Sequence, residues 1–337
     1  MRQITKLQQI TSAIAGLALI ARAALSTSGR TKSKFLLVFL RRVVQHPSAF
    51  KRYGTLPSFL YSVPGHYDSP TPDLKYVADH AAGIFDQANA PCAGIDLREP
   101  EQLQLLERFA NYYKDLPFLE SKSDAHRYYL KNWFFTYGDA IFAYCFLRHF
   151  RPKRIIEVGS GFSSALMLDV NELYFNNLIE FTFVEPFPER LKKLLLPKDL
   201  DHVEVIEKYV QDVAPDEFRK LEAGDILFID SSHISKTGSD VNYLLFHVLP
   251  MLKPGVFIHV HDIFWPFEYN REMVFEGRAY SEAYLLRAFL QYSDSFRIIF
   301  YNDFLAKCHP ENIRALIPLV LKNSIIGNSS IWLEKIK

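Results

Sequence analysis

A glycine turn that follows an apolar segment is the feature of this sequence best suited to bind a ligand. Residues 154–158 form an apolar strand pattern that contains Glu157, and Gly159, Ser160 and Gly161 follow it directly. Glycine at 159 permits a tight turn, and glycine at 161 lets a ligand approach the backbone. A helix that begins after this turn would add free N–H groups and the positive end of its dipole. The pattern predicts a site for a nucleotide-like ligand.

Acidic and histidine side chains follow four further apolar segments, at the points where the predicted strands end. They are Glu185, Asp212, Asp230, His233, His261 and Asp262. Open α/β sheets bind ligands in the crevice beyond the carboxyl ends of their parallel strands. Glu185 lies at about the distance from the glycine turn expected of an acid that binds a ribose. We therefore expect these side chains to share a crevice with the turn.

The elements that position these residues are alternating strands and helices from residue 153 onward. The predicted strands cover residues 154–158, 181–184, 203–206, 225–229, 256–260, 296–301 and 330–334. The predicted crossover helices cover residues 164–174, 189–196, 216–221 and 240–252. Strands and helices in this order form an α/β fold with a mostly parallel sheet. We expect the last two strands to pair as a late antiparallel hairpin.

The whole chain is predicted to have three parts. They are a basic N-terminal arm at residues 1–60, a helical extension or cap at residues 61–150, and the α/β domain at residues 151–337. In the extension, one helix is indicated by apolar residues that recur on one face, namely Leu103, Leu105, Leu106, Phe109 and Tyr113. A second helix is predicted over residues 139–150.

The N-terminal arm is strongly basic, since ten Lys or Arg residues precede Asp68, the first acidic residue of the chain. The whole chain carries a net charge of only +1, which argues against general nucleic-acid binding. Either residues 1–52 contact an anionic membrane peripherally, or the arm packs on the domain as an amphipathic helix. Its uncharged run, residues 7–21, is shorter than the roughly 20 residues needed to cross a bilayer.

The three cysteines, Cys92, Cys145 and Cys308, are odd in number and widely spaced. They suggest neither a disulfide framework nor a zinc motif, so a reducing compartment fits best. We expect a cytoplasmic protein with the membrane contact of the arm as a peripheral addition. With 49% apolar residues among 337, the chain can bury one large core or two modest ones. The oligomeric state is left open.

With Glu157, the glycine turn, Glu185 and Asp230 in place, the chain resembles the class I S-adenosylmethionine-dependent methyltransferases. It looks similar in particular to the branch with a D-x-x-H segment and a later H-D pair, known as methyltransferase family 24. The resemblance covers roughly residues 130–337. It implies a doubly wound, Rossmann-like sheet of seven strands whose last strand is antiparallel, with a helical extension at the N-terminal side.

The resemblance also implies where the cofactor, S-adenosylmethionine, would bind. Glu157 would accept a hydrogen bond from the methionine amino group of the cofactor. The backbone of the glycine turn, from Gly159 through Ser160 to Gly161, would contact its carboxylate end. Glu185 would bind both ribose hydroxyls.

The ends of strands three to five would then surround the rest of the cofactor and the acceptor. Asp212 matches a position near the adenine, and Asp230 matches the acid that faces the methyl-transfer centre. Methyl transfer from a sulfonium is an in-line displacement, so positioning supplies much of the acceleration. An oxygen nucleophile also loses its proton, and one of Asp230, His233, His261 and Asp262 could be the general base.

A divalent metal is an alternative use of the same residues. Asp230, His261 and Asp262 would be its ligands, as in catechol-type methyltransferases, where acids at the ends of strands four and five hold a metal. Such a metal lowers the pKa of the acceptor hydroxyl. The imidazole ligand favours manganese, iron or zinc over magnesium.

The sequence therefore predicts an S-adenosylmethionine-dependent methyltransferase that acts on an oxygen of a small molecule or a saccharide. One alternative is a nicotinamide-dependent oxidoreductase, but Ser164 stands where the dinucleotide fingerprint has its third glycine. The other is a non-catalytic module that uses the cofactor fold and is recruited to a membrane by the basic arm. The carboxylates at the strand ends argue against that alternative.

Overall fold

The computed structural model of the protein describes residues 65–87, 91–200, 202–323 and 328–337. The chain divides into two compact units, residues 1–80 and 81–337. The described part of the first unit contains helix α1 (Leu74–Asp79), whose first backbone N–H groups are capped by the Asp73 carboxylate. The predicted basic arm, with the segment 1–52 expected to contact a membrane, lies outside the described residues.

A seven-stranded sheet runs through the second unit in the order β3-β2-β1-β4-β5-β7-β6. The strands are β1 (Arg154–Val158), β2 (Glu180–Val184), β3 (Val203–Ile206), β4 (Ile226–Ile229), β5 (Phe257–Val260), β6 (Phe296–Tyr301) and β7 (Ile331–Lys335). The first five strands pair in parallel. β7 lies between β5 and β6 and runs antiparallel to both. The chain order reverses between β1 and β4, which is where doubly wound sheets bind ligands.

Helices cover the faces of this sheet. In chain order they are α2 (Ala81–Phe85), α3 (Glu99–Tyr113), α4 (Tyr137–Phe150), α5 (Phe162–Phe175), α6 (Glu189–Leu194), α7 (Pro215–Phe218), α8 (Asp240–Tyr243), α9 (Leu249–Met251), α10 (Arg271–Phe275), α11 (Glu282–Leu290), α12 (Asn302–Cys308) and α13 (Pro310–Leu316). A π-helical turn, Leu244–Val248, joins α8 to α9. All four residues of β4 and of β5 are buried, as expected for strands covered on both faces. The fold is the predicted Rossmann-like α/β fold.

Within the predicted helical extension, the part from residue 92 to residue 150 packs into the same hydrophobic core as the strands. α3 buries Leu105, Leu106 and Phe109, which the helical spacing placed on one face. α4 is buried along its first eleven residues, from Tyr137 to Leu147. The predicted domain boundaries at residues 60 and 150 stay predictions. Within the described residues, no helix is both long enough and apolar enough to span a bilayer.

The predicted strands end within one residue of the observed strands, but the predicted hairpin is wrong in its connection. β6 and β7 do pair antiparallel. Along the chain, however, α12, α13 and a 3-10 turn (Pro318–Asn323) separate them. This connection buries a set of apolar side chains at helical rather than hairpin spacing, namely Phe304, Leu305, Ile313, Ile317 and Val320.

Candidate active site

A cleft of about 450 Å³ opens at the carboxyl ends of β1, β2, β4 and β5. Its volume lies within the range of about 300–1,000 Å³ that is usual for small-molecule sites. The predicted site residues that line it are Gly159, Ser160, Gly161, Glu185, Asp230, His233, His261 and Asp262. The structure therefore brings together the glycine turn after β1 and polar side chains that follow β2, β4 and β5.

The glycine turn has a backbone that requires glycine at its first position. Gly159 has a φ of +83°, and a Cβ there would lie 1.8 Å from the carbonyl oxygen of Asp230. Backbone hydrogen bonds at this turn join the end of β1 to the strands on either side. Gly159 N donates to the Val184 carbonyl of β2 (3.0 Å), and Asp230 N, just after β4, donates to the Val158 carbonyl (2.8 Å). The turn thus holds β1 against both neighbours and leads directly into α5.

Glu185 is fixed at the wall of the cleft by two backbone hydrogen bonds. Its Oε2 accepts from Ser160 N at 3.1 Å and its Oε1 accepts from Phe187 N at 2.8 Å. Each carboxylate oxygen can accept more than one hydrogen bond. The side chain is therefore oriented beside the glycine turn and can still accept hydrogen bonds from a pair of ligand hydroxyls.

Two of the predicted cofactor residues, Glu157 and Asp212, do not line this cleft. Glu157 is fully buried, with Oε1 accepting from the Ser163 hydroxyl (2.5 Å) and Oε2 accepting from the Ser164 hydroxyl. Burial raises the pKa of Glu157 to about 8. Asp212 lines a separate cleft beside Phe187. The predicted cofactor contacts of both acids stay predictions.

His233 lies among three carboxylates. Its Nδ1 is 2.9 Å from Glu282 Oε2, and its Nε2 is 3.4 Å from Asp230 Oδ1 and 3.6 Å from Asp262 Oδ2. Burial lowers the pKa of His233, but its hydrogen bonds to Asp230 and Glu282 and the charge of Asp262 raise it more, to well above the ordinary value. An imidazolium at this position orients the acids around it but does not accept a proton.

His261 has a different environment at the end of β5. Its Nδ1 is 3.2 Å from the Ser330 hydroxyl, and its Nε2 is 3.7 Å from Asp262 Oδ1, too far for a hydrogen bond. Burial lowers the pKa of His261, but the charges of Asp230, Asp262 and Asp139 raise it more, so that the pKa lies above the ordinary value. Burial raises the pKa of Asp230, but the two histidines lower it more, and this acid stays ionised.

The backbone at two of these residues is strained. His233 has a φ of +60° and Asp262 a φ of +55°, and neither is glycine. The carbonyl of His233 accepts hydrogen bonds from Ser281 N (2.9 Å) and Glu282 N (3.2 Å), so the start of α11 holds this loop. Left-handed backbone that the surrounding structure maintains is found most often at functional sites.

The predicted metal ligands do not have the arrangement of a metal site. No set of three or more His, Cys, Asp or Glu side chains among the described residues is placed to hold a metal ion. The imidazole of His233 lies close to both predicted carboxylate ligands, Asp230 and Asp262. As arranged here, Asp230, His261 and Asp262 do not fit a metal.

Several cleft residues were missed from the sequence. They are Trp133, Phe134, Arg190, Met273, Arg278 and Tyr280. The Arg190 guanidinium lies 3.8 Å from the Phe134 ring centroid. Arg190 lies in the first turn of α6, where a basic residue is unfavourable because it opposes the helix dipole. This unusual position in the sequence could have indicated a functional residue. The four aromatic residues that follow Asp262 are buried in the core, namely Phe264, Trp265, Phe267 and Tyr269.

Known proteins that are similar to this chain include methyltransferases. Residues 156–263 match a family model described as a methyltransferase domain. An Archaeoglobus fulgidus protein, described as uncharacterized, is 37% identical over 163 residues, which are 47% of this chain and 73% of that protein. None of the comparisons supports an oxidoreductase or a non-catalytic module.

Solved structures of methyltransferases are also similar to this chain. A Podospora anserina methyltransferase with bound S-adenosylhomocysteine is 13% identical with a TM-score of 0.38, and the match covers 82% of this chain and 99% of that chain. An O-methyltransferase from Streptomyces achromogenes, solved with S-adenosylmethionine, is 14% identical with a TM-score of 0.33, and the match covers 70% of this chain and 90% of that chain. Likenesses this weak carry no further argument. By its archaeal relative, the chain belongs to the same family as the Archaeoglobus protein, and its residues 156–263 match a methyltransferase domain.

Proposed function

We propose that this protein is a class I S-adenosylmethionine-dependent methyltransferase that transfers the methyl group of the cofactor to an oxygen atom of a small-molecule acceptor, with a saccharide among the candidates. One observation carries the proposal: His261 lines the same cleft as Glu185 and the glycine turn. An oxygen acceptor needs a base within reach of its hydroxyl proton, and an imidazole suits that role. The acceptor hydroxyl and the cofactor would then lie between His261 on one side and Glu185 with the glycine turn on the other.

The cofactor-binding side of the cleft consists of Glu185, Asp230 and the backbone from Gly159 to Gly161. We place the ribose at Glu185, because backbone hydrogen bonds already orient that carboxylate beside the turn. We place the methionine end at the turn, next to the start of α5. The carboxylate of Asp230 would face the sulfonium, which favours a negative charge nearby.

The reaction step uses His261 as the general base. The acceptor oxygen attacks the methyl carbon, the bond from carbon to sulfur breaks, and its electron pair stays on sulfur to give S-adenosylhomocysteine. The hydroxyl proton of the acceptor passes to His261 Nε2. His233 and Asp262 hold the side chains around the reacting atoms in place, since the His233 ring lies close to both Asp230 and Asp262.

Cofactor binding tests the first part of the proposal. S-adenosylhomocysteine should raise the melting temperature of the wild type, whereas NAD should not. Glu185→Ala should lose that shift. The control Glu180→Ala removes an exposed acid at the start of the same strand and should keep it. Normal binding by Glu185→Ala would show that the ribose site is elsewhere.

Transfer of labelled methyl to acceptors in a cell extract tests the second part. His261→Gln should keep S-adenosylhomocysteine binding and lose turnover, and the product should be a methyl ether or ester. A methylated nitrogen or carbon in the product would contradict the proposal. Chelation by EDTA should leave turnover unchanged; loss of activity that Mn²⁺ restores would instead support the metal predicted at Asp230, His261 and Asp262.

The cytoplasmic location is likewise a proposal. It is supported by the three cysteines, Cys92, Cys145 and Cys308, which form no disulfide with one another. Reduced cysteines persist most readily in a reducing compartment. Fractionation of cells that produce the full chain tests this location, and a protein recovered with its cysteines oxidised would contradict it.

A further inference from the structure

A buried hydrogen-bond network lies directly behind His261. At its centre is Asp139 in the first turn of α4, which is only 1% exposed. Its Oδ1 accepts from the Ser330 hydroxyl (2.6 Å), from Asn302 Nδ2 (3.0 Å) and from Ser329 N (2.9 Å). The network thus joins α4, the start of α12 and the segment before β7 to the end of β5.

The direction of each hydrogen bond follows from the number of protons available. Ser330 has one hydroxyl proton, and Asp139 Oδ1 is its acceptor. Towards His261 Nδ1, at 3.2 Å, the same hydroxyl oxygen can therefore only accept. The proton of a neutral His261 ring must then be on Nδ1. The lone pair is left on Nε2, the nitrogen that has no hydrogen bond to Asp262.

We propose that Asp139 and Ser330 are positioning residues that hold His261 with its proton on Nδ1 and its Nε2 open to the cleft. The inference deepens the proposed function, on which its catalytic consequence rests. The adjacent Ser329 hydroxyl lies 3.1 Å from Asp262 Oδ1 and 3.3 Å from Asp139 Oδ2. Ser330 thus contacts His261 and Ser329 contacts Asp262, the two polar residues that directly follow β5.

The tautomer can be measured without any acceptor. The ¹⁵N chemical shifts of the His261 ring, assigned by their absence in His261→Gln, are recorded at a pH where the ring is neutral. In the wild type, Nδ1 should show the shift of a protonated nitrogen and Nε2 that of an unprotonated one. In Ser330→Ala, Nδ1 loses its acceptor, and the shifts should move towards a mixture of tautomers. Ser330→Thr keeps a hydroxyl and should restore the wild-type shifts.

Ser329→Ala is the matched control, because it removes a hydroxyl from the adjacent position without removing the acceptor of His261. It should leave the His261 tautomer unchanged. Steady-state kinetics provide the second measurement once an acceptor is in hand. In Ser330→Ala, kcat should fall by roughly 10-fold to 100-fold, the range known for loss of a partner that orients a metal-ligating histidine. KM and the affinity for S-adenosylhomocysteine should stay the same, and Ser330→Thr should recover most of kcat.

Three results would overturn the inference. They are a wild-type ring with its proton on Nε2, a Ser330→Ala protein with unchanged shifts, and a Ser329→Ala protein with the same change as Ser330→Ala. If Ser330→Ala does not fold, the wild-type spectrum still decides which nitrogen carries the proton. A failure of the proposed function looks different, since the expected tautomer would then occur in a protein whose turnover does not depend on His261.

Discussion

At the scale of single residues, the neighbours of a histidine decide what its ring can do. His233 and His261 both follow a central strand, and both line the cleft. His233 has carboxylates near both ring nitrogens, whereas the Nδ1 of His261 faces the hydroxyl of Ser330. The His233 ring is therefore suited to stay charged and to bind the carboxylates around it, and the His261 ring is suited to accept a proton.

Gly159 provides a sharp test of the turn. Alanine at this position would need a left-handed backbone and would place its Cβ against the carbonyl of Asp230. We expect Gly159→Ala to lower the free energy of unfolding by more than the roughly 1–3 kcal/mol typical of one strained residue, and to abolish S-adenosylhomocysteine binding. Urea unfolding and calorimetry measure the two effects. At Gly161 a Cβ would meet only the flexible Arg190 side chain, so Gly161→Ala should fold normally. Equal destabilisation of both variants would contradict this reading of the turn.

Glu157 predicts a pH dependence of stability. Its pKa rises from an ordinary 4.5 to about 8 on folding, so between these values the folded protein holds a proton that the unfolded chain releases. Stability from this group is complete below the lower value and is lost as pH rises to the upper one. Relative to Glu157→Gln, cofactor-free wild type should lose up to about 1.4 kcal/mol of unfolding free energy per pH unit in this window. Denaturant unfolding across the range measures it, with Glu204→Gln as an exposed control. A difference between wild type and Glu157→Gln that does not vary with pH would refute the raised pKa.

The site residues differ in how far the sequence could predict them. Gly159, Glu185 and Asp230 follow strands directly, so their position was readable from local pattern. Glu282 and Ser330 were not, because they come from segments far along the chain and reach the site only through the packing of α11 and β7. A polar residue beside an element far along the chain is not part of any periodic pattern that would identify it as a site residue.

At the scale of elements, a buried arginine fixes the segment that forms one wall of the cleft. The Arg127 guanidinium donates to Asp169 (2.6 Å) and Glu172 (3.0 Å) of α5, and to Asp199 (2.6 and 2.9 Å) of a 3-10 turn, Pro197–Asp199, that follows α6. A few residues later, the chain enters the cleft wall at Trp133. The network therefore anchors this wall to the helix that begins at the glycine turn.

Arg127→Ala should be strongly destabilising. Removal of the arginine leaves the buried acids Asp169 and Asp199 without their cation, and breaking a buried ion pair costs about 3–5 kcal/mol. Guanidinium unfolding measures the loss. As a control, Arg219→Ala removes an exposed arginine paired within one helical turn and should cost less than about 1 kcal/mol. If both variants lost the same small amount, the network would not be the anchor described here.

The elements themselves were largely predictable, and the exception has a physical reason. Strands buried on both faces leave continuous apolar runs, which is why β4 and β5 were located to within one residue. The connection between β6 and β7 gives no comparable signal for its helices. Its helices α12 and α13 are each seven residues long, too short for a clear helical period, and a hairpin was the simpler interpretation of two late strands.

At the scale of the whole molecule, the predicted site and the basic arm occupy different parts of the chain. All residues that line the cleft lie between Trp133 and Tyr280, within the second unit. The ten basic residues that precede Asp68 all belong to residues 1–52. Cofactor binding and the membrane contact predicted for the arm should therefore be separable by deletion.

Deletion of residues 1–50 makes this separation testable. The shortened chain should bind S-adenosylhomocysteine with wild-type affinity, because every cleft residue remains. It should lose association with vesicles that contain anionic lipid, since each Lys or Arg near such a surface contributes about 1 kcal/mol. Co-sedimentation with anionic and with neutral vesicles measures the second effect.

Full-length protein should leave the anionic vesicles as salt rises, because exposed charges are screened over about 8 Å at physiological ionic strength. Arg41→Glu with Arg42→Glu, in the full chain, should weaken vesicle binding without loss of cofactor affinity. If the shortened chain still bound anionic vesicles as well as the full chain does, the arm would not be the membrane contact, and its packing on the domain as an amphipathic helix would be the better account of its sequence.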